Sequence, residues 1–273
     1  MKIETTIDID ESPLARYKND IPSQSRLWDQ KYVLFIEDIT VEFDGFKALD
    51  IEAFGIEHYE LRVIIGPNGA GKTTFCDVVS GKTTPATGQV HFDGKDISDK
   101  SEMDIALRGI RRKFQTPTVF DSLTTLENMQ LALPKNQGMW ANLLGSLKPE
   151  DRDHIRSILE RVGLGALLDT PASQLSHGQR QWLSISTLIL SDPKLLLIDE
   201  PAAGLSDAET MLTAELLLEL KEEHTIVVIE HDMDFVRNLD SYVSVFNEGM
   251  VMAEGTVDEI QSNAAVIEAY LGR

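Results

Sequence analysis

The spacing of apolar positions changes several times along this chain, and each change marks a different kind of element. From residue 32 to 56 apolar and polar positions alternate, with Val33 and Phe35, then Val41 and Phe43, in phase. That spacing predicts antiparallel strands with one buried face. Residues 61–65 (LRVII), apolar but for Arg62, predict a buried strand of a parallel sheet, and a helix is expected over 72–80. Residues 89–92, just before Asp93-Gly94, predict a further hairpin strand. Between 116 and 175 the spacing becomes helical, through Leu126, Met129 and Leu133 and later Ile155, Ile158, Leu159 and Val162. Thr124 with Glu127 reads as a capping box opening the first of these helices. From Leu183 onward strands and helices alternate: strand 195–198, helix 207–221, strand 225–229, helix 232–239, strand 242–246. The pattern predicts an α/β fold with a parallel sheet and right-handed crossovers, an antiparallel β part and an inserted helical part. Two short helices are expected between 256 and 272. Residues 1–30 form an acidic arm with Pro13 and Pro22, from which little packing is expected.

Two of the predicted strands end in groups that carry chemistry. The run at 61–65 leads into GPNGAGKTT, residues 66–74, and then into a helix. Strand, glycine-rich loop, helix is the setting of a phosphate cradle. Backbone N–H groups of such a loop converge on phosphate oxygens, and the helix N-terminus adds a field that favours anions. Gly66, Gly69 and Gly71 let the chain turn and approach the ligand, with Pro67, Asn68 and Ala70 completing the loop. Lys72 would reach the β- and γ-phosphates, Thr73 would ligate Mg²⁺ through its hydroxyl, and Thr74 would lie near the α-phosphate. The second strand, 195–198 (LLLI), runs straight into Asp199 and Glu200. Adjacent carboxylates after four apolar residues are costly unless they work or are paired. Asp199 fits a water-mediated Mg²⁺ ligand, and Glu200 fits the group that orients or deprotonates an attacking water. ATP and Mg²⁺ are the expected ligands.

Composition narrows the partners. The chain has 273 residues, 42% of them apolar, enough to bury a full core. Its longest apolar runs are four to five residues, too short to cross a bilayer. A formal net charge of -20 argues against nucleic-acid binding, which relies on Lys and Arg, and against adsorption to anionic lipid. Contact with a membrane should therefore go through a protein partner. Cys76 is the single cysteine, so no internal disulfide can form, and its expected role is packing. A cytosolic setting is expected.

From about residue 34 to 273 the chain resembles the ATP-binding-cassette ATPases, with several motifs in that family's order. The resemblance implies a RecA-like P-loop sheet with an antiparallel β subdomain and a helical subdomain at about 116–178, in one cassette over 31–273. Gln115, in KFQTPTVF, stands at the family's glutamine that senses Mg²⁺ and γ-phosphate and contacts the transport partner. Phe43 stands where an aromatic residue stacks on adenine, with Phe46 as its rival. His231, in VIEHDM, stands at the histidine that touches the γ-phosphate. LSHGQ resembles the family signature, so Ser176, His177, Gly178 and Gln179 would face ATP held by a second copy or a related chain. His177 replaces the family's usual glycine. Leu205, Ser206 and Asp207 stand at the loop that couples the two sites, where the family often has aspartate in place of Ser206. Ser176 with Gln179 and Ser206 with Glu209 are also capping boxes, a role that both motifs can fill alongside the first.

The resemblance further implies partners: a second ATPase subunit, two membrane permeases, and a periplasmic or extracellular solute-binding protein. The chain would then sit at the cytoplasmic face of the membrane. VEFDGFKAL, KFQTPTVF, LTTLENM and AYLGR are similar to the importers of branched-chain amino acids and amides. LSHGQRQWLSI and VIEHDMDFVR narrow the likeness towards the D-type ATPase subunit of urea importers. Branched-chain amino acid import and lipopolysaccharide extraction are the alternatives.

Overall fold

The structure is a computed structural model and describes Tyr17 and residues 31–113, 118–133 and 147–271. In chain order the elements are β1 (Tyr32–Phe43), β2 (Phe46–Glu57), β3 (Leu61–Ile65), α1 (Lys72–Val79), β4 (Thr87–Phe92), β5 (Lys95–Asp96), α2 (Glu102–Leu107) and β6 (Ile110–Lys113). Then follow α3 (Thr125–Ala132), α4 (Pro149–Arg161), α5 (His177–Ile189), β7 (Leu195–Asp199), α6 (Asp207–Leu220), β8 (Thr225–Ile229) and α7 (Met233–Asn238). The chain ends with β9 (Tyr242–Asn247), β10 (Met250–Thr256), α8 (Val257–Ser262), α9 (Ala264–Val266) and a π-helical turn. Two compact units result, one of residues up to 58, 65–99 and from 242 on, the other of 59–64 and 100–241.

The first unit is antiparallel, in the order β2-β1-β4-β5, with β9 and β10 as a further hairpin. Its three tight turns are Asp44-Gly45, Asp93-Gly94 and Glu248-Gly249, all at positive φ. Such mirror-image turns match the right-handed twist of the strands they join. Phe54, Phe75 and Phe246 meet edge to face with centroids 5.4, 5.5 and 5.8 Å apart, tying α1 to β2 and β9. Each such pair adds about 1 kcal/mol to burial. The trio sets where the N-terminus of α1 points. Cys76 is buried in α1, as packing requires.

Tyr17 corrects the expectation of little packing from residues 1–30. It is fully buried in a cluster with Tyr32, Phe35 and Ala53. Its hydroxyl donates to Glu254 Oε2 at 2.8 Å and lies 3.3 Å from the Gly55 carbonyl oxygen. The Tyr32 ring has its place in this cluster because residue 55 has no side chain: a Cβ there would lie 2.8 Å from that ring. No local pattern could announce a contact that depends on strands forty and two hundred residues away.

The second unit holds a parallel sheet in the order β3-β8-β7-β6. β7 and β8 pair from Leu195↔Thr225 to Asp199↔Ile229, and their side chains are buried up to Ile198 and Ile229. Apolar runs of this kind suit a strand covered on both faces. β6 was not expected. Its sequence, IRRK, reads as polar, yet Lys113 is 2% exposed and the strand pairs with β7 from Ile110↔Leu195. Reciprocal capping boxes open α3, α5 and α6. Helix 207–221 is observed to Leu220, and 232–239 becomes α7 with Asp232 as its cap. The mixed α/β class read from the sequence holds.

Candidate functional site

The loop at 66–71, which follows β3 in the chain, belongs to the first unit. Gly66 has φ 152°, and a Cβ there would stand 2.1 Å from the Phe246 carbonyl oxygen. Gly71, the N-cap of α1, has φ 97°, with the Ala48 carbonyl oxygen 2.7 Å from where its Cβ would be. The loop is therefore clamped by its neighbours in a shape only glycine fits. Asn68, Gly69 and Thr73 are exposed, while Ala70 is buried. Ala70 also accepts from the Gly249 N–H at 3.1 Å. Lys72 Nζ donates to the carbonyls of Gly66 and Pro67 at 2.6 and 3.0 Å, which folds the ammonium back over the loop. An ammonium beside exposed loop N–H groups at a helix N-terminus can hold an anion. Thr73 and Thr74 stand in the first turn of α1. Phe43 and Phe46 pair across the end of the first hairpin, both at least half exposed. Either ring is open to stack on a base.

In the second unit, Asp199 ends β7 and Glu200 follows in the left-handed region, φ 45°. Its N–H still donates to the Ile229 carbonyl at 2.9 Å, so the turn is held by the sheet while the side chain swings off the strand. His231 lies beyond β8, with Nδ1 3.6 Å from Glu200 Oε1 and 3.7 Å from Glu230 Oε2. Glu200 and the exposed His231 imidazole thus share a place. Thr73 carries a hydroxyl and Asp199 a carboxylate, each an oxygen donor of the kind that hard cations take. Among the described residues no His, Cys, Asp and Glu group forms a self-contained metal cluster. Gln115 lies outside the described residues.

Glu230 and Lys113 were not singled out from the sequence. Glu230 is 1% exposed and accepts from the N–H groups of Ala202, His231 and Asp232. Burial pushes its carboxyl up, against the pull of those three donors. It thereby ties the backbone at Ala202, just after Glu200, to that at His231 and Asp232. Its only signal was a carboxylate standing between an apolar strand and a histidine. Lys113 is pushed down to about 8 by burial, with Asp199 and Glu230 opposing the shift.

The motif at 175–179 opens α5. Ser176 is its cap, Gly178 is buried, and Gln179 completes the box. His177 Nε2 lies 3.2 Å from the Ala203 carbonyl, in the loop that runs to Leu205, Ser206 and Asp207. Ser206 caps α6 with Glu209. An open cleft of about 520 Å³ lies between this loop and α7, with His231 and Asp207 on its walls. No helix among the described residues is long and apolar enough to cross a membrane.

Comparison with known proteins gives the family. The family model described as ABC transporter matches residues 49–203, and that of the branched-chain amino acid ATP-binding cassette transporter matches residues 250–273. The probable branched-chain amino acid transport ATP-binding protein LivG of Archaeoglobus fulgidus is 36% identical over 246 residues, covering 88% of this chain and 95% of its own. The high-affinity branched-chain amino acid transport ATP-binding protein BraF of Pseudomonas aeruginosa is 33% identical, covering 88% and 98%. The crystal structure of the ADP conformation of MJ1267, an ATP-binding cassette of an ABC transporter, superposes with a TM-score of 0.79 at 31% identity, covering 89% and 99%. The chain belongs to the ABC transporter family, as a transport-coupled ATPase of the branch that holds LivG and BraF.

Proposed function

We propose that the chain is the motor subunit of an importer for branched-chain amino acids. The substrate reading is supported by full-length likeness to LivG and BraF and by the C-terminal match at 250–273. The motor reading is supported above all by Glu200, which turns off β7 to meet His231 at 3.6 Å. In this reading the loop N–H groups and Lys72 hold the phosphates, and Phe43 or Phe46 stacks on the base. Thr73, Asp199 and Gln115 would hold Mg²⁺, which supplies charge neutralisation on the transferred phosphate. Glu200 orients the attacking water and accepts its proton, while His231 donates to the γ-phosphate.

Residues 176–179 and the loop at Leu205, Ser206 and Asp207 face the nucleotide of a second ATPase subunit. Closure of the two subunits moves a pair of membrane permeases fed by a solute-binding protein. The chain acts at the cytoplasmic face and never touches the solute. A second reading, import of urea or short amides, is favoured by the wording of LSHGQRQWLSI and VIEHDMDFVR. Uptake of labelled leucine and of labelled urea in cells carrying Glu200→Gln decides between them. Loss of leucine uptake alone supports the first reading, and loss of urea uptake alone overturns it in favour of the second.

A further inference from the structure

One carboxylate serves two serines in the second unit. Glu209 Oε2 accepts from the Ser206 N–H at 3.0 Å and from Ser206 Oγ at 2.8 Å, closing the capping box of α6. Its other oxygen, Oε1, accepts from Ser176 Oγ at 3.1 Å. Ser176 Oγ in turn accepts from the Gln179 N–H at 3.2 Å. Glu209 therefore joins the first turns of α5 and α6. The approach is close, since a Cβ on Gly178 would lie 2.5 Å from Glu209 Oε1. Two further links run alongside: His177 Nε2 to the Ala203 carbonyl, and Trp182 Nε1 donating to Thr213 Oγ1 at 3.0 Å. The Ser206 donors, with Ser176 and the nearby His177, hold the Glu209 carboxyl below the usual carboxylate range. Both of its oxygens are acceptors at neutral pH.

A serine hydroxyl has one proton to give. Here Ser176 gives it to Glu209. A γ-phosphate at the start of α5 needs that same proton, because its ionised oxygens only accept. Carboxylate and phosphate thus compete for one donor. We propose that Glu209 is a positioning residue that holds the Ser176 proton until the γ-phosphate on the opposing subunit takes it. Because its second oxygen holds Ser206, the exchange carries the state of that nucleotide into the loop at 202–206. The proposal rests on the reading that Ser176 faces the opposing subunit's ATP.

Glu209→Gln separates the two jobs. Glutamine completes capping boxes as glutamate does, so α6 keeps its start. Its single acceptor oxygen can take the place of only one carboxylate oxygen, and the two serines bond different ones, so one serine loses its acceptor. ATP turnover is measured on the purified transporter complex carrying wild-type chain, E209Q, S176A, or both. E209Q is expected to lower KM for ATP about threefold or more, roughly 0.65 kcal/mol. S176A is expected to raise KM about tenfold, and adding E209Q to S176A to change nothing further. A role in structure alone would instead lower kcat or raise KM. An unchanged or raised KM in E209Q overturns the proposal, as does the same fall in KM on the S176A background, which would be a plain charge effect. Wild-type kinetics in S176A overturn the facing of Ser176 onto ATP, and the proposal with it.

Discussion

Replacing Gly66 by alanine tests whether the phosphate loop owes its shape to the strand beside it. The new methyl would stand 2.1 Å from the Phe246 carbonyl oxygen and 3.1 Å from its carbon, both backbone atoms of β9 that cannot rotate away. The backbone there, at φ 152°, is also one that L residues avoid. Gly69→Ala is the control. It too sits at positive φ, 82°, but nothing lies within 4 Å of its Cβ. Backbone strain of about 1–2 kcal/mol is common to both substitutions. Overpacking, about 1–3 kcal/mol, falls on Gly66→Ala alone. The difference should be about 2 kcal/mol, or roughly 4–8 °C in Tm for a chain of this size. Thermal unfolding followed by circular dichroism without nucleotide measures it. Because Lys72 Nζ is anchored on the Gly66 carbonyl at 2.6 Å, the displaced loop should also bind a fluorescent ATP analogue about tenfold more weakly, roughly 1.4 kcal/mol, when both variants are folded. Equal melting temperatures for the two variants would refute the argument that β9 clamps the loop.

Glu200→Gln should lower kcat about 100-fold or more while ATP still binds, as measured by single-turnover hydrolysis and equilibrium binding; turnover near wild type would remove Glu200 from the water-activating role. Tyr17→Ala should cost about 3–5 kcal/mol in denaturant unfolding, because a fully buried ring and its bond to Glu254 are lost together; a loss under about 1 kcal/mol would mean the cluster closes without it. Lys113 is lowered to about 8 in the fold, so the unfolded chain binds more protons between pH 8 and its ordinary value near 10.5, and its contribution to stability rises across that window. Stability measured from pH 7.5 to 10 should climb by up to about 3 kcal/mol more in wild type than in Lys113→Gln, and parallel profiles would contradict the shift. Chelation should abolish ATP turnover and Mg²⁺ should restore it.

What could be read from the chain alone is what short stretches decide by themselves. GPNGAGKTT after LRVII specifies a turn and a helix start through steric rules that act within nine residues. The capping boxes at Thr124, Ser176 and Ser206 each close within four residues, and all three form as read. LLLI and TIVVI announce covered strands because so long an apolar run has few other uses. Burial between distant segments has no such local mark. IRRK looks solvated until its pairing with β7 buries Lys113. Tyr17 looks like part of an acidic arm until Gly55 and Glu254 meet it. Glu230 becomes a brace only when three N–H groups from two segments converge on it. Glu209 reads as a cap for α6, and only the approach of α5 adds Ser176 as a donor to the carboxylate's other oxygen. Desolvation and hydrogen-bond competition depend on which groups share a space, and that is settled by tertiary contact.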